Sequence, residues 1–120
     1  MAAFAWSVVE CGGVAGDFGW QVDSDRRLKK DIVTLDDNDI LDRTVNVRSV
    51  QYVYKKNPGL LKYGFIAQEL LEIFPTLVNS TNPERFSVNY AEMVIAIPVL
   101  AREIKKLRAE IAELKSANTE

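Results

Sequence analysis

Residues 90–117 read YAEMVIAIPVLAREIKKLRAEIAELKSA, and the spacing of their apolar side chains decides the fold. Tyr90, Met93, Ile97, Leu100, Ile104, Leu107, Ile111 and Leu114 recur at alternating intervals of three and four residues, the a/d repeat of a coiled-coil seam. With Ile97, Ile104 and Ile111 at a, Glu103 and Glu110 fall at g, and Arg108 and Lys115 at e. In a parallel coil a g residue meets the e residue five positions on in the neighbouring helix, so Glu103 faces Arg108 and Glu110 faces Lys115, both opposite charges. Seam and charge pattern agree on a parallel assembly. The competing arrangement, one amphipathic helix packed on its own domain, usually shows a wider apolar stripe than a strict a/d seam. Pro98 interrupts the pattern, and a proline inside a helix costs roughly 3 kcal/mol. A break is therefore expected at 96–98, with the coiled coil proper over 99–117. Isoleucine at a with leucine at d favours two strands in an isolated zipper, so these side chains alone leave the number of chains open.

Upstream, the patterns are shorter. Asp36-Asp37-Asn38-Asp39 before Ile40-Leu41 is an N-cap signal and predicts a helix over 37–43. The acidic run lacks the central Gly and terminal Glu of a calcium loop. Val45, Val47, Val50, Tyr52 and Tyr54 predict a strand, Asn57-Pro58-Gly59 a turn, and 61–65 a second strand. Ile66, Leu70, Ile73 and Phe74 share one face of a helix over 67–74 that Pro75 ends. Leu77-Val78 and Phe86-Ser87-Val88 flank a cluster of turn residues and predict a small hairpin. The fold class is α+β, small strands and short helices followed by a long C-terminal helix.

A chain of 120 residues with 48% apolar and 27% charged side chains has room for one small domain. There is no His, and Cys11 is alone, so zinc sites, a disulfide framework and Ser-His-Asp triads are excluded. A net charge of -2 gives no overall field for nucleic acid or an anionic membrane. The longest apolar run, 93–101, is far short of the ~20 residues of a spanning helix. The first residues lack a basic n-region and a long apolar core, so no signal peptide is read and a cytosolic place of synthesis is expected. Residues 1–23 hold four of the six glycines, both tryptophans and no Lys or Arg. Phe4, Trp6, Val8 and then Phe18, Trp20, Val22 alternate as short strands do. This segment reads either as a hairpin of the same domain or as the end of a β-rich module upstream.

The one nucleophile-and-base pair in reach is Ser24 with Lys29. A lysine accepts a proton from a hydroxyl only when neutral, so its ordinary pKa of ~10.4 must fall by several units through burial or neighbouring cations. Arg26, Arg27 and Lys30 supply cations nearby. By itself the spacing is equally that of a solvated basic segment. As a nucleic-acid patch, Arg26-Arg27-Leu28-Lys29-Lys30 is diluted by Asp25 and Asp31.

Four stretches taken in order carry more. Ser24-Asp25-Arg26-Arg27-Leu28-Lys29-Lys30-Asp31-Ile32, then Gly64-Phe65-Ile66-Ala67-Gln68-Glu69, then Pro75 with Leu77-Val78, then Asn89-Tyr90 opening the long helix, resemble a known family. They are similar to the C-terminal intramolecular chaperone domain of phage tailspikes, tail fibres and endosialidases, the S74-type self-cleaving peptidases, with a relative in an animal membrane-tethered transcription factor. The resemblance spans residues 24–115. It implies a parallel homotrimer with its seam at Leu100, Ile104, Leu107, Ile111 and Leu114, and a β-rich passenger fibre upstream in the same chain. Residues 1–24 are then the end of the passenger and 25–120 the chaperone. It implies a single-turnover serine peptidase with Ser24 and Lys29 as dyad, cutting at Ser24–Asp25, while Asp25, Arg27 and Leu28 position the scissile turn. No cofactor, metal, nucleic acid or membrane partner is implied. Assembly is expected in the host cytoplasm, with the passenger in the virion tail and the chaperone released.

Geometry pulls the other way on the bond cut. Attack by Ser24 Oγ on its own carbonyl closes a four-membered ring, whereas attack on the Asp23 carbonyl is an ordinary N-to-O acyl shift. The residues favour Asp23–Ser24 and the resemblance Ser24–Asp25, in which case Ser24 acts through a water or another side chain. Two other classes fit parts of the chain: a trimerisation cap of a fibre with no peptidase activity, and a DNA-binding zipper dimer.

Overall fold

The computed structural model of the chain describes residues 13–14 and 21–118. Two compact units divide between Thr34 and Leu35. In the first, β1 (Gly13–Val14) pairs antiparallel with β2 (Gln21–Val22), Gly13 opposite Val22. The alternation through Phe4, Trp6 and Val8 and through Phe18 and Trp20 lies outside the described residues; Val22 falls in β2. A 3-10 turn, Arg26–Leu28, follows. Asp31 has φ 56°, the left-handed region that Asp and Asn enter more readily than other side chains.

The second unit opens with α1 (Asp37–Thr44), where the sequence predicted it. Asp36 is its N-cap, and the carboxylate accepts from the Asn38 N–H at 3.2 Å. Ile40, 1% exposed, points from α1 into the core. Next comes a hairpin of β3 (Val50–Tyr54) and β4 (Asn57–Gly64). Its turn is at residues 55–56, since Tyr54 pairs with Asn57; the Asn57-Pro58-Gly59 turn expected from the sequence is corrected to the start of β4. The ladder explains how proline is tolerated there. Tyr52 pairs with Lys62 and Tyr54 with Asn57, so residues 58–61 stand opposite Val53 alone. The missing N–H of Pro58 falls in a bulge rather than in the ladder.

α2 (Ala67–Ile73) ends at Phe74, because Pro75 disfavours helical backbone in the residue before it. The Arg43 guanidinium donates twice to the Ile73 carbonyl, at 2.8 and 3.0 Å, and lies 4.2 Å from the Phe74 ring centre. One arginine thereby caps α2 and stacks on its last aromatic ring. A 3-10 turn (Pro75–Leu77) leads into β5 (Val78–Asn79), which pairs with β6 (Ser87–Val88) as the predicted small hairpin. Ile40, Leu70, Phe74, Leu77, Val78, Ala96 and Val99 form the core. Complete burial of one such branched side chain contributes about 1.5–3 kcal/mol.

The terminal segment begins as a 3-10 helix (Tyr90–Ile95) and becomes α3 (Ala96–Asn118), 23 residues long. The change falls at the expected break. Pro98 is the third residue of α3, within the first turn, where a helix makes no use of the N–H that proline lacks. The two leading members of the heptad repeat are drawn into the domain: Met93 packs against the core and Tyr90 stacks on Phe65, ring centres 5.4 Å apart. Strands, short helices and a long terminal helix make the α+β fold that the sequence predicts.

Candidate functional site

In the first unit the geometry is local. Asp25 is the N-cap of the 3-10 turn, and its Oδ1 accepts from the Arg27 N–H at 2.9 Å. The Arg27 guanidinium closes on the same carboxylate, Nε at 3.1 Å from Oδ1 and Nη2 at 2.7 Å from Oδ2. Hydrogen bonds from the Arg27 side chain and backbone hold the Asp25 carboxyl below the usual carboxylate range. The turn carries the chain back on itself, with Leu28 N–H to Asp25 O at 3.0 Å and Lys29 N–H to Arg26 O at 3.1 Å. Lys29 Nζ then reaches Ser24 and donates to Oγ at 2.6 Å. Ser24 thus contacts Lys29 and Asp25 contacts Arg27; the Leu28 side chain is 73% exposed. An amine at this distance, once neutral, takes the hydroxyl proton directly.

In the second unit the feature is a face. Leu100, Ile104, Leu107, Ile111 and Leu114 are 44–65% exposed, one continuous stripe along α3. The helix is held by another side: Ala96 and Val99 enter the core, and Arg102 pairs with Asp37 through Nε–Oδ2 at 2.7 Å and Nη2–Oδ1 at 2.8 Å. Those hydrogen bonds hold the Asp37 carboxyl below its ordinary range. In heptad terms c, f and g touch the domain while a and d do not. The alternative of an amphipathic helix packing its a/d stripe on its own domain is not what α3 does.

A cleft of about 730 Å³ lies in the same unit. Tyr52, Tyr54, Phe86 and Tyr90 supply aromatic walls and Gln68 and Arg85 polar groups. A hydrogen bond with Tyr54, reinforced by burial, pushes the Tyr52 hydroxyl up to about 12. Tyr90 anchors one wall, its hydroxyl accepting from the Phe65 N–H at 3.0 Å. Sequence reasoning found neither the Arg102–Asp37 pair nor the Tyr90 anchor. Both join residues far apart in the chain, and no local spacing announces them.

The first unit carries a Ser-Lys contact, and the second is a small α+β fold ending in a helix with an exposed heptad face. Residues 24–79 match the Peptidase_S74 family model, described as the chaperone of endosialidase. The match begins at the Ser24 of the contact and runs through α1, the β3–β4 hairpin and α2 to Asn79, the end of β5. The motif at Asn89-Tyr90 and all of α3 lie beyond it. No curated protein matches the chain.

Proposed function

We propose that the chain is an intramolecular chaperone that assembles as a parallel homotrimer, brings the ends of an upstream fibre passenger into register, and then releases itself by autoproteolysis. The observation that carries this reading is the a/d stripe left exposed on α3, five large apolar side chains in line on one helix. A trimeric β-fibre needs three chains aligned before distant strands can pair, and such pairing is slow and prone to aggregation. A coil closing at the C-terminus raises the local concentration of the three ends to the ~mM range. Loss of the scaffold afterwards leaves the mature fibre protected by its unfolding barrier, since refolding has lost its guide.

Release is assigned to the Ser24–Lys29 dyad, supported by the 2.6 Å contact. Neutral Lys29 takes the Oγ proton, Oγ takes a proton from a water, and that water's oxygen attacks the Ser24 carbonyl as the Asp25 amine leaves. Asp25 and Arg27 position the turn, and cleavage falls at Ser24–Asp25. The setting is the host cytoplasm, with the passenger passing to a phage tail. Wild-type chain and a Ser24→Ala variant are to be expressed in parallel and weighed intact. Wild type yields a fragment of residues 25–120 and the variant does not. A fragment starting at Ser24 moves the cut to Asp23–Ser24, and equal masses for both proteins make the domain a non-catalytic trimerisation cap.

A further inference from the structure

Resting on that assembly, we propose that Arg102 and Asp37 form the strut that fixes the rotation of α3 about its own axis, and so determine whether three seams can face one another. The foot by which α3 stands on the domain is short. It consists of Ala96, 7% exposed, Val99, 3% exposed, and the ion pair. Residues 104–118 are exposed on every side, an overhang of roughly 20 Å at 1.5 Å per residue. Alanine and valine give a smooth contact that resists sliding but scarcely resists rolling. One residue's step around a helix is about 100°, and a roll of that size swings the whole seam, Leu100, Ile104 and Leu107 together, away from the direction in which other copies must meet it.

The Arg102 fork supplies the missing direction. Both of its bonds go to Asp37, the first residue of α1, so the guanidinium is fixed in plane as well as in distance. Arg102 is at heptad position f, the outside of a bundle. Pairing there leaves Glu103, Arg108, Glu110 and Lys115 free for the contacts between chains that the g and e positions make. An isoenergetic pair at e or g would compete with assembly; one at f supports it.

The size of the effect follows from multiplicity. Side chains 59% and 38% exposed make a modest pair, worth a factor of about two to five in the population of the correct rotation. Three chains must present the seam together, so the factor enters as its cube and the association constant falls about ten- to hundredfold when the pair is removed. The midpoint concentration varies as the inverse square root of that constant, a rise of about three- to tenfold.

The test is sedimentation equilibrium of the full chain over a dilution series, with far-UV circular dichroism on each sample. Arg102→Ala and Asp37→Asn should each raise the midpoint by that amount while the spectrum of the dissociated chain stays native. Asn at 37 keeps a short polar side chain at the helix start, so this variant guards against a fold effect of the first. Exchange of the charges, Asp37→Arg with Arg102→Asp, should recover part of the loss. Arg48→Ala, which breaks an exposed bidentate pair with Glu69 remote from α3, should leave the midpoint unchanged. If Arg102→Ala assembles at the wild-type midpoint, or Arg48→Ala weakens assembly as much, the strut is overturned. If wild type itself never associates, the assembly reading fails and the strut with it.

Discussion

The Ser24–Lys29 segment and α3 are organised in opposite ways. In the first, everything that positions Lys29 lies within five residues: an aspartate cap, an arginine closing on it, and one 3-10 turn. In the second, the arrangement depends on Asp37, 65 positions from the arginine it holds. A site built from near neighbours survives transplantation. A face whose direction is set by the rest of the domain does not, and the two regions therefore answer differently to mutation.

The largest effect expected is at the local site. Lys29→Met removes the group facing Ser24 Oγ and should abolish release altogether, read as a single full-length mass after prolonged incubation, while sedimentation remains that of wild type. A Lys29→Met chain that still cuts itself would break the assignment of the base. Next is the face. Leu107→Asp puts a charge in mid-seam and should shift assembly beyond the accessible concentration range, with helical content of the lone chain kept. Persistence of the wild-type oligomer in Leu107→Asp would show that the stripe is not the contact.

The core lies between the two regions in effect. Leu70→Ala leaves a cavity in a site that is 1% exposed and should cost about 2–5 kcal/mol, measured by urea unfolding. Gly64→Ala sharpens the comparison at the Tyr90 anchor. A methyl group there runs into the Tyr90 hydroxyl, and overpacking of this kind costs about 1–3 kcal/mol. The same unfolding measurement with Tyr90→Phe added should recover part of it.

Acid gives the smallest effect. Asp25, Asp37 and Glu69 are all held below their ordinary values, by hydrogen bonds from Arg27, Arg102 and Arg48 respectively. A carboxyl whose folded pKa is depressed stabilises the fold above its unfolded pKa, and that contribution fades as pH falls through the folded value. Stability should thus be flat above about pH 5 and decline below about pH 4. A decline setting in near neutrality would exclude these three groups as its cause.

Much of this was legible before the structure. The caps, turns and periodic faces of α1, α2 and the β5–β6 hairpin are written in neighbouring residues, and each element formed where its pattern stood. The β3–β4 turn was displaced because Asn57-Pro58-Gly59 carries the composition of a turn, yet the ladder absorbed it as a bulge. Tyr90 and Met93 continued the heptad in spacing, but the core and Phe65 took them, since Pro98 stops the α-helix from reaching back that far. The Ser24–Lys29 pairing was implied by the family resemblance; the spacing of five alone is equally that of a solvated basic segment. The narrow a/d stripe also led to the expectation that it would stay off its own domain; which positions the domain would hold instead, c, f and g, a heptad pattern does not state.

Pro98 has one more effect. Were the α-helix to lengthen backward, its ring would collide with the Val94 carbonyl. Winding that begins at the far end of α3 and travels inward must halt at Ala96, as at a firebreak. If α3 closes into the proposed coil, strain from that winding stays out of the residues that seat Tyr90 and Met93.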